Sequence, residues 1–366
     1  MIPVTKPYLP NRRKLEKYLD GIYERNWLTN NGPLVEELSR RLEAYLGVDN
    51  LLLVANGTMA LQVAYRALGI EKPLNGKAAE AVTTPFTFAA TASSLEWEGV
   101  KPVFSDIDPD TWCLASDGIG AVITSETRAI VPVHVFGNAC EIEKIQAIAD
   151  QNNLKVIYDA AHAFGVDYKG ESLLKAGDAS TLSFHATKVF HTIEGGAIVF
   201  KKRDDLEKAK SLINFGITGP DEINELGINS KMSEFNAAMG LCVLDEMEEN
   251  FSGRKRVWDI YREEMGNSLI FQRFNQCASN NYAYFPILLP SEKHVHRALE
   301  SLRSEGVIAR RYFYPSLDSV KVFNCGYVTE ISRSISSRIL CLPIYAHLAT
   351  EDVKKIAQII MGVVSE

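Results

Sequence analysis

Near the N-terminus apolar residues recur three and four positions apart, at Leu15, Tyr18, Leu19 and Ile22 and again at Leu34, Val35, Leu38, Leu42, Tyr45 and Leu46. That spacing predicts two amphipathic helices, over 11–25 and 33–46, parted by a turn at Thr29-Asn30-Asn31-Gly32. The pattern then changes to short unbroken apolar runs at 51–54, 82–84, 102–105, 129–133, 156–159 and 197–200, with helical stretches between most of them. Unbroken runs alternating with helices predict a mostly parallel sheet covered on both faces, an α/β fold whose functional groups gather at the carboxyl ends of the strands. From about residue 245 the texture shifts to a charged amphipathic helix over 244–265. A strand-like run at 282–288, a helix over 293–304 and a final helix over 350–364, capped by Thr350, follow it. We expect a large domain over 1–245, N-terminal segment included, and a smaller α+β domain over 246–366.

Composition narrows the class. The chain has 366 residues, 46% of them hydrophobic, and a net charge of −7 with Lys and Arg scattered. Such a chain suits neither nucleic acid nor an anionic membrane surface. The opening Met1-Ile2-Pro3-Val4-Thr5-Lys6-Pro7 has no apolar signal core, and no apolar run reaches the ~20 residues of a spanning helix, so the expected location is cytoplasmic. The six cysteines (Cys113, Cys140, Cys242, Cys277, Cys325, Cys341) lie far apart with no Cys-x-x-Cys pair, which fits reduced thiols.

Four strand ends carry candidate chemistry. After the run at 51–54, Asn56-Gly57-Thr58 opens a helix, and a helix N-terminus with backbone N–H groups and a hydroxyl is a site for phosphate. Many strand-to-helix turns of this kind bind nothing, so the turn alone decides little. Phe88 follows a second strand and Asp159 ends another. Lys188 is the only full positive charge among Leu182, Phe184, Ala186, Val189 and Phe190, closed by Glu194-Gly195-Gly196. A buried lysine is either neutral and nucleophilic or paired, and the alternative is a lysine whose stem snorkels beside a hairpin. Pyridoxal phosphate uses all four features: a helix N-terminus for its phosphate, an apolar face for its ring, a carboxylate for its pyridine nitrogen and an amine for its aldehyde. His185 and His191 straddle the lysine without the carboxylate or cysteine company of a metal site, so no metal is expected. His134 reads as a hydrogen-bonded structural histidine.

The motifs Asn56-Gly57-Thr58-Met59-Ala60-Leu61, Pro85-Phe86-Thr87-Phe88-Ala89-Ala90-Thr91, Asp159-Ala160-Ala161-His162-Ala163-Phe164-Gly165, Ser183-Phe184-His185-Ala186-Thr187-Lys188, Glu194-Gly195-Gly196 and Asn229-Ser230-Lys231-Met232-Ser233-Glu234 together resemble the DegT/DnrJ/EryC1/StrS sugar aminotransferases, of the aspartate-aminotransferase fold. The resemblance runs nearly end to end. It implies that Lys188 carries the cofactor and shuttles a proton, that Asp159 contacts the pyridine nitrogen and that Phe88 stacks on the ring. It further implies His162 near the ring oxygen, and Gly57, Thr58 and Ser183 at the phosphate. Asn229 would reach the phosphate of a neighbouring subunit, which makes the protein a homodimer with shared sites. His162 stands where the family often has Gln, Lys231 where it has Arg and Ile193 where many members have Gly, while the 72–80 link is longer than usual. The segments 3–10 and 26–33 look most like enzymes that use L-glutamate to aminate dTDP-4-keto-6-deoxyglucose at C4. His185, Lys231, Tyr312 and Tyr314 would then face sugar and diphosphate. Amination at C3, a UDP-linked 4-keto sugar and a non-catalytic cofactor-binding regulator stay open as alternatives. A dehydratase of this fold replaces the lysine by histidine, and Lys188 argues against it.

Overall fold

The computed structural model describes residues 1–73, 76–323 and 326–365. Part of the 72–80 link and Cys325 lie outside the described residues. The two N-terminal helices are α1 (Arg12–Arg25) and α2 (Pro33–Leu46). Asn11 caps α1 by accepting from the Arg13 N–H, whereas α2 is capped from far along the chain. Glu234, fully buried, accepts from the backbone N–H groups of Leu34 at 3.0 Å and Val35 at 2.9 Å. A carboxylate there satisfies donors that have no partner inside the helix and complements its dipole. The preceding Gly32 leaves it room, since a Cβ at that position would lie 2.6 Å from the Glu234 carboxyl carbon.

The chain then alternates: β1 (Leu51–Val54), α3 (Gly57–Leu68), β2 (Glu80–Thr83), α4 (Ala89–Trp97), β3 (Lys101–Phe104), α5 (Ser116–Val122), β4 (Thr127–Val131), α6 (Ile142–Asn152) and β5 (Lys155–Asp159). After a small hairpin, β6 (Asp167–Tyr168) and β7 (Glu171–Ser172), come β8 (Ala179–Ser183), β9 (Gly196–Phe200) and α7 (Arg203–Leu212). Seven strands form one sheet in the order β1-β9-β8-β5-β4-β2-β3. Neighbours from β8 to β3 run parallel, and β9 lies antiparallel to both β8 and β1. Alternation along the strands explains why the runs are apolar throughout. Leu51, Leu53, Ala197 and Val199 pack into the layer with α2 and α8 (Glu234–Leu244), while Leu52, Val54, Ile198 and Phe200 pack into the layer with α3 and α7. With both faces covered, neither face is polar.

Beyond an exposed arm with β10 (Ile217–Gly219) and β11 (Glu222–Ile223), the expected helix over 244–265 is two: α8 stops at Leu244 and α9 (Met247–Met265) starts afresh. The C-terminal part packs α9, α10 (Glu292–Ser304) and α12 (Thr350–Ser365) on the antiparallel pair β12 (Phe285–Leu288) and β13 (Ile339–Leu342), with α11 (Glu330–Arg338) before β13. Thr350 is the first helical residue rather than the cap before it. Ile2 forms a parallel bridge with Val307, so the first residues join this part. Buried Arg254 of α9 donates to the carbonyls of Ala283 and Ile344, both at 3.3 Å, and thereby fixes the backbone beside Tyr284. Burial pulls its pKa down to about 10. Among the described residues no helix is long and apolar enough to cross a membrane. The five described cysteines are free thiols, and all but Cys277 are buried.

Candidate active site

A cavity of about 630 Å³ opens at the carboxyl ends of β1, β2, β5 and β8, with Tyr284, Tyr312 and Phe313 from the C-terminal part on its far wall. Its anion end is the start of α3. The Asn56 carbonyl of the side chain accepts from the Met59 N–H at 2.9 Å, leaving Gly57 and Thr58 at the positive end of the helix. A Cβ on Gly57 would sit 2.8 Å from the Ser183 Cβ, and one on Gly196 would sit 2.7 Å from the Asn56 carbonyl carbon. Only glycines allow β8, β9 and the helix end to approach this closely.

Asp159 ends β5, buried. The Thr91 hydroxyl donates to its Oδ2 at 2.7 Å, the Thr87 hydroxyl stands 2.8 Å from that of Thr91, and the Ala161 N–H donates to Oδ1 at 3.1 Å. Burial raises its pKa, against the pull of Thr91, the Ala161 N–H and Lys188. The loop between β8 and β9 carries Lys188, whose Nζ donates to the Tyr284 hydroxyl at 3.3 Å. Loss of hydration lowers the Lys188 pKa to about 8, with Asp159 and Tyr312 opposing. At pH 7 about a tenth of such amines are free base, far more than for an ordinary lysine. His162 Nδ1 accepts from the Phe136 N–H at 3.2 Å, which puts the ring proton on Nε2. Burial, then Lys188, holds this histidine well below its usual pKa, hence neutral.

A family model for DegT/DnrJ/EryC1/StrS aminotransferases matches residues 11–361. The chain belongs to this family. It is therefore a pyridoxal phosphate-dependent aminotransferase. A dTDP-4-amino-4,6-dideoxy-D-glucose transaminase of Shigella dysenteriae is 43% identical over 357 residues, 95% of each chain. An Escherichia coli transaminase of the same name is 39% identical over 372 residues, 99% of this chain and 98% of its own. A crystal structure of DesI in the presence of its TDP-sugar product superposes with a TM-score of 0.92 at 32% identity, over 99% of this chain and 93% of that one.

The cavity suits the family's cofactor. It offers a helix end cleared by glycine for a phosphate, a buried carboxylate for a ring nitrogen and an amine of lowered pKa for an aldehyde. Gly57, Thr58, Phe88, Asp159, His162, Ser183, His185, Lys188 and Tyr312 all line it. Asn229, Lys231 and Tyr314 do not. Asn229 bridges Asn214 at the base of the exposed arm, and Lys231 donates to the Asn214 side chain at 2.6 Å and lies 5.2 Å over the Phe215 ring. Tyr314 sits in an adjoining groove under the Arg311 guanidinium. His185, half-exposed, has its Nε2 3.6 Å from Glu194. Among the described residues no cluster of three or more His, Cys, Asp or Glu could hold a metal ion. Buried His134 stacks on Tyr158 and its Nδ1 accepts from the Cys140 N–H.

Sequence reasoning missed Tyr284 and Thr91. Tyr284 stands in the strand-like run at 282–288, but β12 begins one residue later and leaves the phenol facing Lys188. Thr91 was one small residue among several in α4. Its signal was spacing: it lies four residues after Thr87, one helical turn on.

Proposed function

We propose that this aminotransferase moves the amino group of L-glutamate to C4 of dTDP-4-keto-6-deoxy-D-glucose, giving dTDP-4-amino-4,6-dideoxy-D-glucose. The observation that carries the reading is the 43% identity, along 95% of both chains, to the Shigella dysenteriae transaminase named for that product. In this reading Gly57, Thr58 and Ser183 would hold the cofactor phosphate, Phe88 would cover one ring face, His162 would stand near the ring oxygen and Lys188 would supply the amine for the aldehyde. Asp159 would keep the ring nitrogen protonated as a carboxylate, the form that Thr91, the Ala161 N–H and Lys188 favour against the effect of its burial. The bound cofactor supplies the electron sink. Lys188, once freed by the incoming amine, would serve as the base that carries the proton, for which a pKa of about 8 matches a general base near neutral pH. Tyr284 sets the direction of its Nζ. Tyr312 and His185 face the sugar.

The active unit is a homodimer in the cytoplasm, with Asn229 and Lys231 of one subunit serving the site of the other. The large domain ends near residue 245. Purified enzyme loaded with pyridoxal phosphate is to be given glutamate with 4-keto and 3-keto sugars linked to dTDP or UDP, and the product read by NMR. An equatorial amine at C4 of the dTDP sugar is the expected product, and an axial amine, the galacto epimer, replaces the product assignment. An amine at C3, or preference for the UDP sugar, replaces the substrate assignment. No turnover of any keto-sugar, with cofactor bound, replaces the enzyme by a ligand-sensing protein.

A further inference from the structure

A second groove of about 710 Å³ lies beside the cavity and shares Thr87, Phe88, Tyr312 and Phe313 with it. Arg303, Arg310 and Arg311 line the groove, and no acidic side chain among the described residues does. On a chain of net charge −7, three guanidinium groups in one depression draw an anion. They differ in their freedom. Arg311 is held by Glu292 at 2.8 Å and the Ser337 carbonyl at 2.9 Å, with its guanidinium 3.3 Å from the Tyr314 ring centroid. Arg303, in the last turn of α10, and Arg310 are exposed and have no ion-pair partner among the described residues. Arg310 also acts across the shared wall: burial and Tyr284 push the Tyr312 phenol up, and the Arg310 charge opposes them. Apolar side chains, Ile308, Val320 and Phe323 among them, complete the lining. Free cations beside an apolar surface suit a ligand that is anionic at one point and flat and apolar at another.

We infer that this groove takes the nucleoside diphosphate end of the acceptor, with Arg303 and Arg310 at the phosphates and the apolar lining against the base, while the linked sugar enters the cavity past Phe88 and Tyr312. The inference rests on the nucleotide-linked acceptor proposed above. It makes the arginines anchors that present the sugar carbon, and leaves the chemistry to the cavity.

The test uses the full-length holoenzyme with Arg303→Gln and Arg310→Gln, singly and together. Calorimetry with dTDP, thymidine and inorganic diphosphate as probes is joined to the KM for the keto-sugar nucleotide. Each single change weakens dTDP binding about threefold and the pair about tenfold, as expected for charge-assisted contacts near solvent. The rise falls in KM rather than kcat, and the rate at which glutamate converts the bound cofactor reports an intact cavity in every variant. Wild-type enzyme binds dTDP more tightly than thymidine or diphosphate, less so as salt is added. A double variant whose dTDP affinity stays within about twofold of wild type overturns the inference, because two charges lost from the diphosphate site are expected to cost about tenfold together. Diphosphate binding as tightly as dTDP overturns it too. If wild type binds dTDP in an Arg-dependent way yet aminates no keto-sugar, the functional reading fails and the groove stands. If it aminates the sugar while the double variant binds dTDP unchanged, the groove fails alone.

Discussion

The cavity and the arm over 214–230 treat their side chains in opposite ways. In the cavity the central polar groups meet partners in their own chain: Asp159 meets Thr91 and the Ala161 N–H, His162 the Phe136 N–H, and Lys188 the Tyr284 hydroxyl. On the arm it is apolar groups that go unmet, with Ile223 72% and Leu226 76% exposed and Phe215 half-exposed. A run of exposed apolar side chains on one projection is the kind of surface another surface covers. The contrast teaches that Asp159, His162 and Lys188 find their partners within one chain, whereas the arm, with Asn229 and Lys231 at its base, presents apolar side chains to its surroundings. That is what the proposed dimer requires.

The sharpest way to break the comparison is at Lys188. Lys188→Ala keeps the fold and loses transamination altogether, and borohydride reduction followed by mass spectrometry finds cofactor fixed to wild-type chains only. Measurable turnover in the variant would remove Lys188 from the chemistry. Asp159→Asn comes next: it still binds cofactor, but kcat falls about 10²- to 10⁴-fold, the range for losing a positioned acid–base group, and near-normal turnover would hand its role to another group. On the arm, Leu226→Asp together with Ile223→Asp leaves the cavity's hydrogen bonds alone and shifts sedimentation from dimer toward monomer. Mixing Lys188→Ala chains with Asn229→Ala chains restores activity through hybrid dimers, and restoration failing although hybrids form would confine Asn229 to its own chain.

Smaller effects sharpen the picture of the cavity. A free amine is required to capture the cofactor. Because burial lowers the Lys188 pKa to about 8, capture by cofactor-stripped enzyme rises with pH up to about 8 and then levels. An ordinary lysine would keep climbing to about 10.4. Tyr284→Phe removes an acceptor for the charged amine, so the midpoint moves down by up to about one unit. A stopped-flow capture profile tests both, and a midpoint unmoved in the variant would leave the 3.3 Å contact without influence on the amine. Least of all, Glu234→Ala costs about 1–2 kcal/mol in denaturant unfolding, the range for a lost helix cap.

Much of this was legible in the sequence, for local reasons. Lys188, Asp159 and Gly57 stand at breaks between an apolar run and a turn, and such breaks fall at strand ends. The two-layer sheet followed from runs apolar at every position. What the sequence hid depends on distance or direction. Nothing near Leu34 says that its N–H groups meet Glu234, nothing in 197–200 says that β9 runs against its neighbours, and the break between α8 and α9 lies in a stretch whose apolar spacing barely falters. Tyr284 was hidden because one phenol in an apolar run looks like core until its neighbour in space is known. The Arg303 and Arg310 pair comes from the end of α10 and the segment after it, and only the fold turns both toward one groove.

The Glu234 cap has a consequence in time. It lies 200 residues downstream of the helix end it serves, so during synthesis at about 5–20 residues per second the α2 N-terminus waits roughly 10–40 s for its carboxylate. Throughout that wait, water alone meets the Leu34 and Val35 amides, and α2 lacks the α8 surface against which its apolar stripe packs. A nascent chain stalled before residue 234 therefore holds a frayed, sticky helix near its start, which a holding chaperone would find there and lose once α8 leaves the ribosome.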